Sequence, residues 1–130
     1  MESKLRVGMV SKTETVVTEK ETAHSFGSGG VKVFATPMMI GLMENAALSA
    51  VDPHLPEGYA TVGTRIDVRH LAATPVGMKV YATAQLTGIE GKKLDFKVEA
   101  YDEKEKIGEG VHERYIISVE RFLERTASKG

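Results

Sequence analysis

A chain of 130 residues with 42% hydrophobic and 27% charged content suits one globular domain and is too short for two ordinary ones. Its 17 basic and 18 acidic residues leave a net charge of -1, so the basic excess that a nucleic-acid binder needs is missing. There is no cysteine, which excludes disulfides, thiolate metal sites and a cysteine nucleophile.

The segment Met1 to Met9 is charged and has no apolar stretch of signal-peptide type, and no apolar run approaches membrane-spanning length. The expectation is a single cytoplasmic domain over residues 1–130, with no membrane partner. Thr13 to Thr18, rich in valine and threonine, predicts the first strand. Gly27-Ser28-Gly29-Gly30 follows in an irregular stretch and reads as a flexible loop; without GxGxxG or a P-loop lysine it is a weak phosphate cradle.

Thr36-Pro37 is a helix start, with threonine suited to the N-cap and proline to the first helical position. From Met38 to Val51 only Glu44, Asn45 and Ser49 are polar, so this helix is expected to be covered on several sides. Asp52-Pro53 and Leu55-Pro56 end it. The remainder reads as strands. In Ala60 to His70, the residues Ala60, Val62, Ile66, Val68 and His70 are taken as one phase. Met78 to Thr87 and Lys93 to Ala100 alternate cleanly as half-buried strands, with Gly88 to Lys92 as the hairpin loop. A turn at Asp102 to Lys106 leads into a last strand, Ile107 to Val119. The pattern supports one long helix on one face of an antiparallel sheet, an α+β arrangement.

Three residues carry candidate chemistry, each with an ordinary alternative. Glu44 sits on a mostly apolar helix, where a carboxylate is costly unless paired or functional; it also fits a solvated polar stripe with Asn45 and Ser49. Thr36 reads first as a cap, although a hydroxyl at a helix N-terminus also suits developing negative charge. His70 lies in the apolar phase of its strand, as core histidines do, yet imidazole is the side chain best suited to proton transfer near neutrality. His24, His54 and His112 have no metal-ligand spacing, and no metal is expected. Arg65, Arg69 and Arg114 are possible contacts for phosphates. Met38, Met39 and Met43 read as core, or as the lining of an adaptable acyl pocket.

Together these segments resemble a family. Val33-Phe34-Ala35-Thr36-Pro37-Met38-Met39-Ile40-Gly41-Leu42-Met43-Glu44 is similar to the helix-start motif of fluoroacetyl-CoA thioesterases and their relatives. The resemblance continues through Val62-Gly63-Thr64, through His70 with Ala72-Ala73-Thr74-Pro75, through Gly88 to Lys93, and through Ile107-Gly108, Gly110 and His112-Glu113-Arg114. It implies a hot-dog fold, in which a long antiparallel sheet wraps one central helix. It also implies a catalytic set at Thr36, Glu44 and His70, with Gly63, Arg114, Phe34 and Met43 at the substrate. Coenzyme A would be part of the substrate, with no separate cofactor, and the assembly would be a homodimer or higher with its pocket at the interface.

The implied reaction is hydrolysis of a short or medium acyl-CoA. Glu44 would serve as base or nucleophile, Thr36 would attack or position water, and His70 would polarise the carbonyl or protonate the thiolate. The N–H of Gly63 or of the helix start would hold the oxyanion. Ser25 to Lys32 is shorter and richer in glycine than the phenylalanine-bearing lid of the fluoroacetyl-specific enzyme, which argues against fluoroacyl selectivity. A non-catalytic acyl-CoA-binding module and an enoyl-CoA hydratase are the alternatives. The hydratase typically needs an Asp and His pair near the helix start, where this chain supplies only Glu44.

Overall fold

The computed structural model describes residues 4–27 and 29–130, with Phe26 described by its backbone only. Strand β1 (Val10–Val16) leads to a short helix α1 (Ala23–Phe26) and then to the long helix α2 (Thr36–Val51). Strands β2 (Tyr59–His70), β3 (Lys79–Glu90), β4 (Lys93–Asp102) and β5 (Lys106–Ser118) follow, and the chain closes with helix α3 (Val119–Ala127). The five strands form one antiparallel sheet in the order β1-β3-β4-β5-β2. This is the expected helix-on-sheet arrangement, with β1 and β2 at its two edges.

Helix α2 is apolar because the sheet curves around it. Met39, Met43, Ala46, Ala47, Ala50 and Val51 are buried against Val80, Ala82, Ala84, Leu86, Leu94, Phe96, Val98 and Ala100 of β3 and β4. The run of alanines lets helix and sheet approach closely. Gly108 on β5 serves the same end: a Cβ there would stand 2.5 Å from Met39 Sδ and 3.1 Å from Met43 Cε, well inside contact distance.

Several local expectations are corrected. The first strand begins at Val10 rather than Thr13 and ends at Val16. Gly88 is not in a loop: β3 runs on to Glu90, and a two-residue turn at Gly91 and Lys92 joins it to β4. Gly91 takes φ 62°, a left-handed value that favours glycine. The pairing of β3 with β4 slips between Leu86 and Gly88, which marks a bulge and explains why the alternation breaks there. Gly27 closes α1 in a left-handed conformation, while Ser28 of the same glycine-rich stretch lies outside the described residues.

Strand β2 departs most from its sequence pattern. Its pairing with β5 runs Gly63↔Arg114, then Arg65↔Glu113 and Ile66↔His112, so the register shifts at Thr64. The bulge reverses the side-chain phase. Thr61 and Gly63 before it, and Ile66, Val68 and His70 after it, share the inner face with Arg114, His112, Gly110 and Gly108. Ala60 and Val62 therefore do not share the phase of His70; they pair with Ile117 and Tyr115 on the outer face. Strand β5 ends at Ser118, and Val119, expected as the end of that strand, instead opens α3 (Val119–Ala127), capped by Ser118 Oγ accepting from Arg121 N–H at 3.4 Å.

Candidate active site

Thr36 is not the helix cap. Ala35, with φ -74° and ψ 140°, occupies that position, Thr36 is the first helical residue and Pro37 the second. The Thr36 hydroxyl makes no bond to the helix backbone and instead meets His70 Nδ1 at 2.7 Å. The helix start stands beside the end of β2 because Phe34 N–H donates to the Thr74 carbonyl at 2.9 Å and Leu71 N–H to Ile107 at 2.7 Å.

His70 is half-buried, and burial holds its imidazole below the ordinary pKa. The ring is thus neutral at pH 7 and carries one proton. Its Nε2 is buried and has no partner among the described residues, which is costly for a polar atom that serves nothing else. A cavity of about 330 Å³ adjoins the pair, lined by Thr36 and His70 with Ala23, Val33, Phe34, Leu71, Ala72 and Ala73. Phe34 is 1% exposed and forms its apolar wall. Met43 does not line this cavity; it is fully buried in the core beneath Gly108.

Glu44 belongs to a second cluster. A Cβ built on Gly63 would lie 2.9 Å from Glu44 Oε2, 3.1 Å from His112 Cε1 and 3.4 Å from Arg114 Nη1. Gly63 thus has its glycine because the carboxylate, the imidazole and the guanidinium crowd against its backbone. Arg114 and His112 are buried, and Gly63 itself is exposed at the edge strand. Burial lowers the pKa of both Arg114 and His112; the Asp52 and Glu44 carboxylates oppose the shift at Arg114, and the neighbouring Arg114 charge reinforces it at His112. Arg65 faces outward instead, bound to Glu113 at 3.0 Å and Asp67 at 3.4 Å.

The expected catalytic set is therefore split within one chain. Thr36 and His70 are in contact, and Glu44 lies with Gly63 and Arg114. Thr36 and Glu44 are eight positions apart on the helix, about 12 Å along the axis. Gly63 and His70 stand about 20 Å apart along the edge strand. His112, Thr61 and Asp52 were not recognised from sequence as parts of the second cluster. The His-Glu-Arg spacing, which sets His112 and Arg114 on one face of a strand, was the available signal. Among the described residues, no group of three or more His, Asp or Glu side chains converges as a metal site.

Comparison with known proteins identifies the family. The sequence profile described as fluoroacetyl-CoA-specific thioesterase matches residues 17–120. A fluoroacetyl-CoA thioesterase of Streptantibioticus cattleyicolor is 45% identical over 98 residues, 75% of this chain and 70% of that one. A structure of a fluoroacetyl-CoA-specific thioesterase variant in complex with fluoroacetate and CoA is 40% identical, with a TM-score of 0.86 over 91% of this chain and 99% of that one. A thioesterase superfamily member from Thermus thermophilus is 33% identical, with a TM-score of 0.85 over 95% of this chain and 94% of that one. The fold is accordingly the hot-dog fold, and the chain belongs to the fluoroacetyl-CoA-specific thioesterase family.

Proposed function

We propose that this protein is an acyl-CoA thioesterase acting on short or medium acyl groups, and that its working unit is a homodimer with Thr36 and His70 from one subunit and Glu44 from the other. The observation that carries the reading is His70 Nε2, a buried ring nitrogen with no protein partner among the described residues, at a cavity beside a bonded threonine. A substrate carbonyl or a thiolate supplies the partner that atom lacks.

The bulge supports the dimer. Strand β2 is at the edge of the sheet, and both Gly63 and His70 are on its inner face. A second copy pairing antiparallel along β2, with Gly63 opposite the partner's His70, would bring the two residues within about 5 Å across the strands. Each Glu44 would then face a Thr36–His70 pair of the other subunit, and an isologous contact would create two equal sites. A free edge strand of this length is itself a template for such pairing.

In the reaction, neutral His70 with its proton on Nε2 donates to the thioester carbonyl, while the Thr36 hydroxyl donates to Nδ1 and fixes that tautomer. Glu44 takes the proton from the attacking water, or attacks the carbonyl carbon itself. As the C–S bond breaks, the coenzyme A thiolate leaves with the proton that Glu44 took from water; on the covalent route the thiolate takes a proton from solvent, and water then hydrolyses the Glu44 acyl anhydride to release the acid. The Gly63 N–H and the α2 N-terminus are the candidate oxyanion donors. Single-turnover kinetics with trapping separates the two routes, since an acyl adduct on Glu44 or Thr36 excludes direct water attack.

The composite site has a sharp test. Glu44→Gln and His70→Ala variants are each expected to release little thiol from acyl-CoA. Mixed in equal amounts and allowed to exchange subunits, half the dimers become hybrids with one intact site, so about one quarter of wild-type activity returns. No recovery after proven exchange would refute the shared site. Tight acyl-CoA binding without turnover by the wild type would point to a binding module instead.

A further inference from the structure

Behind Gly63 runs a chain of polar side chains that the hydrolysis scheme does not use, with Thr61, His112 and Arg114 buried and Asp52 half-buried. Asp52, at the C-terminal end of α2, accepts from Thr61 Oγ1 at 2.6 Å and from Thr61 N–H at 3.4 Å. Arg114 donates from Nε to Thr61 Oγ1 at 2.7 Å and from Nη2 to the Thr61 carbonyl at 2.8 Å. His112 Nε2 lies 3.2 Å from Arg114 Nη1, and His112 Nδ1 lies 2.7 Å from the Arg65 carbonyl.

Every bond in this chain has one allowed direction. The Asp52 carboxylate only accepts, so the Thr61 hydroxyl proton points to it and its lone pairs are left for Arg114. The Arg65 carbonyl only accepts, so His112 carries its proton on Nδ1 and offers a bare Nε2 to the guanidinium. Burial and the Arg114 charge keep His112 neutral, as that role requires. The guanidinium is thereby held through all three of its nitrogens, and its plane is fixed before any substrate binds. Glu44 Oε2 and Arg114 Nη1 both border the space above Gly63.

We propose that Asp52, Thr61 and His112 are positioning residues for thioester hydrolysis, which lock the Arg114 guanidinium as a fixed positive charge facing the Glu44 carboxylate across Gly63, so that the field in which Glu44 attacks is set before substrate binds. The inference rests on the thioesterase reading and on the role given there to Glu44. A purely structural role, pinning the end of α2 to the sheet, makes a different prediction, because positioning acts only through Arg114.

The test uses Thr61→Val, which keeps the side chain's shape and removes its hydroxyl, and Thr61→Ser, which retains the oxygen. Each is made alone and in an Arg114→Met background, and kcat and KM for thiol release from an acyl-CoA are measured with the melting temperature. Thr61→Val is expected to lower kcat by about tenfold or more, the order expected for a displaced catalytic group, with KM changed less than about twofold. Thr61→Ser should recover to within about threefold of wild type, and Thr61→Val should add less than about twofold once Arg114 is gone. If Arg114→Met does not fold, the split between kcat and KM and the serine rescue still decide.

Nitrogen-15 NMR reads the clamp without catalysis. The Arg114 Nε–H should exchange slowly in wild type and lose that protection in Thr61→Val. Wild-type kcat in Thr61→Val, or full multiplication of its effect in the Arg114→Met background, overturns the inference while leaving the thioesterase reading intact. A wild type that releases no thiol from any acyl-CoA overturns that reading, and this inference with it.

Discussion

Gly63→Ala is the most searching single change, because the structure gives its consequences in ångströms. The added methyl would stand 2.9 Å from Glu44 Oε2, 3.1 Å from His112 Cε1 and 3.4 Å from Arg114 Nη1. A carbon needs about 3.5 Å or more from such neighbours, so something must move by roughly half an ångström. His112 is held at both ring nitrogens and Arg114 at three donors, whereas Glu44 is partly exposed and makes no hydrogen bond or salt bridge among the described residues. Glu44 therefore yields. Moving a flexible carboxylate costs stability little, on the order of 1 kcal/mol, or about 3–6 °C in melting temperature for a domain of this size. Misplacing a base by half an ångström costs rate on the order of tenfold or more. Steady-state thiol release and a thermal melt on the same preparation check both numbers. A kcat within about twofold of wild type would mean that the Glu44 carboxylate at Gly63 is not the reacting group. A collapse of the melting temperature would mean that Gly63 is needed for packing instead.

Other perturbations separate the remaining roles. Thr36→Val should lower kcat on the order of a hundredfold, yet cost less than the ~1 kcal/mol of a lost helix cap, because its hydroxyl bonds His70 rather than the helix; chemical denaturation and kcat test both halves. Acidification should destabilise the protein: His70 and His112 have folded pKa values below the ordinary one, so their contribution is complete above the unfolded value of about 6.5 and is lost as pH falls through the lower folded values. Melts between pH 7 and 5 should show that decline, and His112→Gln should flatten it. The acid limb of kcat/KM should have its midpoint below about 6.5 if neutral His70 is the active form; a midpoint above that value would contradict the assignment. Met43→Ala should cost about 2–5 kcal/mol on denaturation as a core truncation, with the order of preference among acyl chain lengths unchanged.

Much of the architecture was legible because it rests on periodicity. Strands β3 and β4 alternate cleanly since one face packs on α2, and α2 is apolar through most of its length since the sheet wraps it. The errors arise where one local signal has two physical readings. Thr36-Pro37 looks like a cap followed by a first-turn proline, but backbone conformation alone lets Ala35 do the capping. The phase of β2 was misread because a bulge adds one residue without a sequence mark stronger than Gly63-Thr64. Helix α3 was missed because it continues directly from a strand and no residue of it is buried. The chain from Asp52 to His112 joins partners up to 53 residues apart, and no pattern within a window of sequence reports such contacts. Thr36, Glu44, His70, Gly63 and Arg114 were reached through resemblance; their residue types alone favoured ordinary roles.

The bulge at Thr64 is the feature on which the site's geometry turns. Gly63 and His70 are seven residues apart, an odd number, so in an unbroken strand their side chains would face opposite sides of the sheet. One would look toward α2 and the other toward solvent, and no pairing of two copies could make Glu44 and His70 meet on a common inner face. The inserted residue restores the match, setting Gly63 opposite Arg114 and Ile66 opposite His112 on the side that faces the helix. It also does so on an edge strand, where a second copy can pair. In the proposed homodimer the two ends of β2 would together complete the site, and the bulge gives both halves the same face to present.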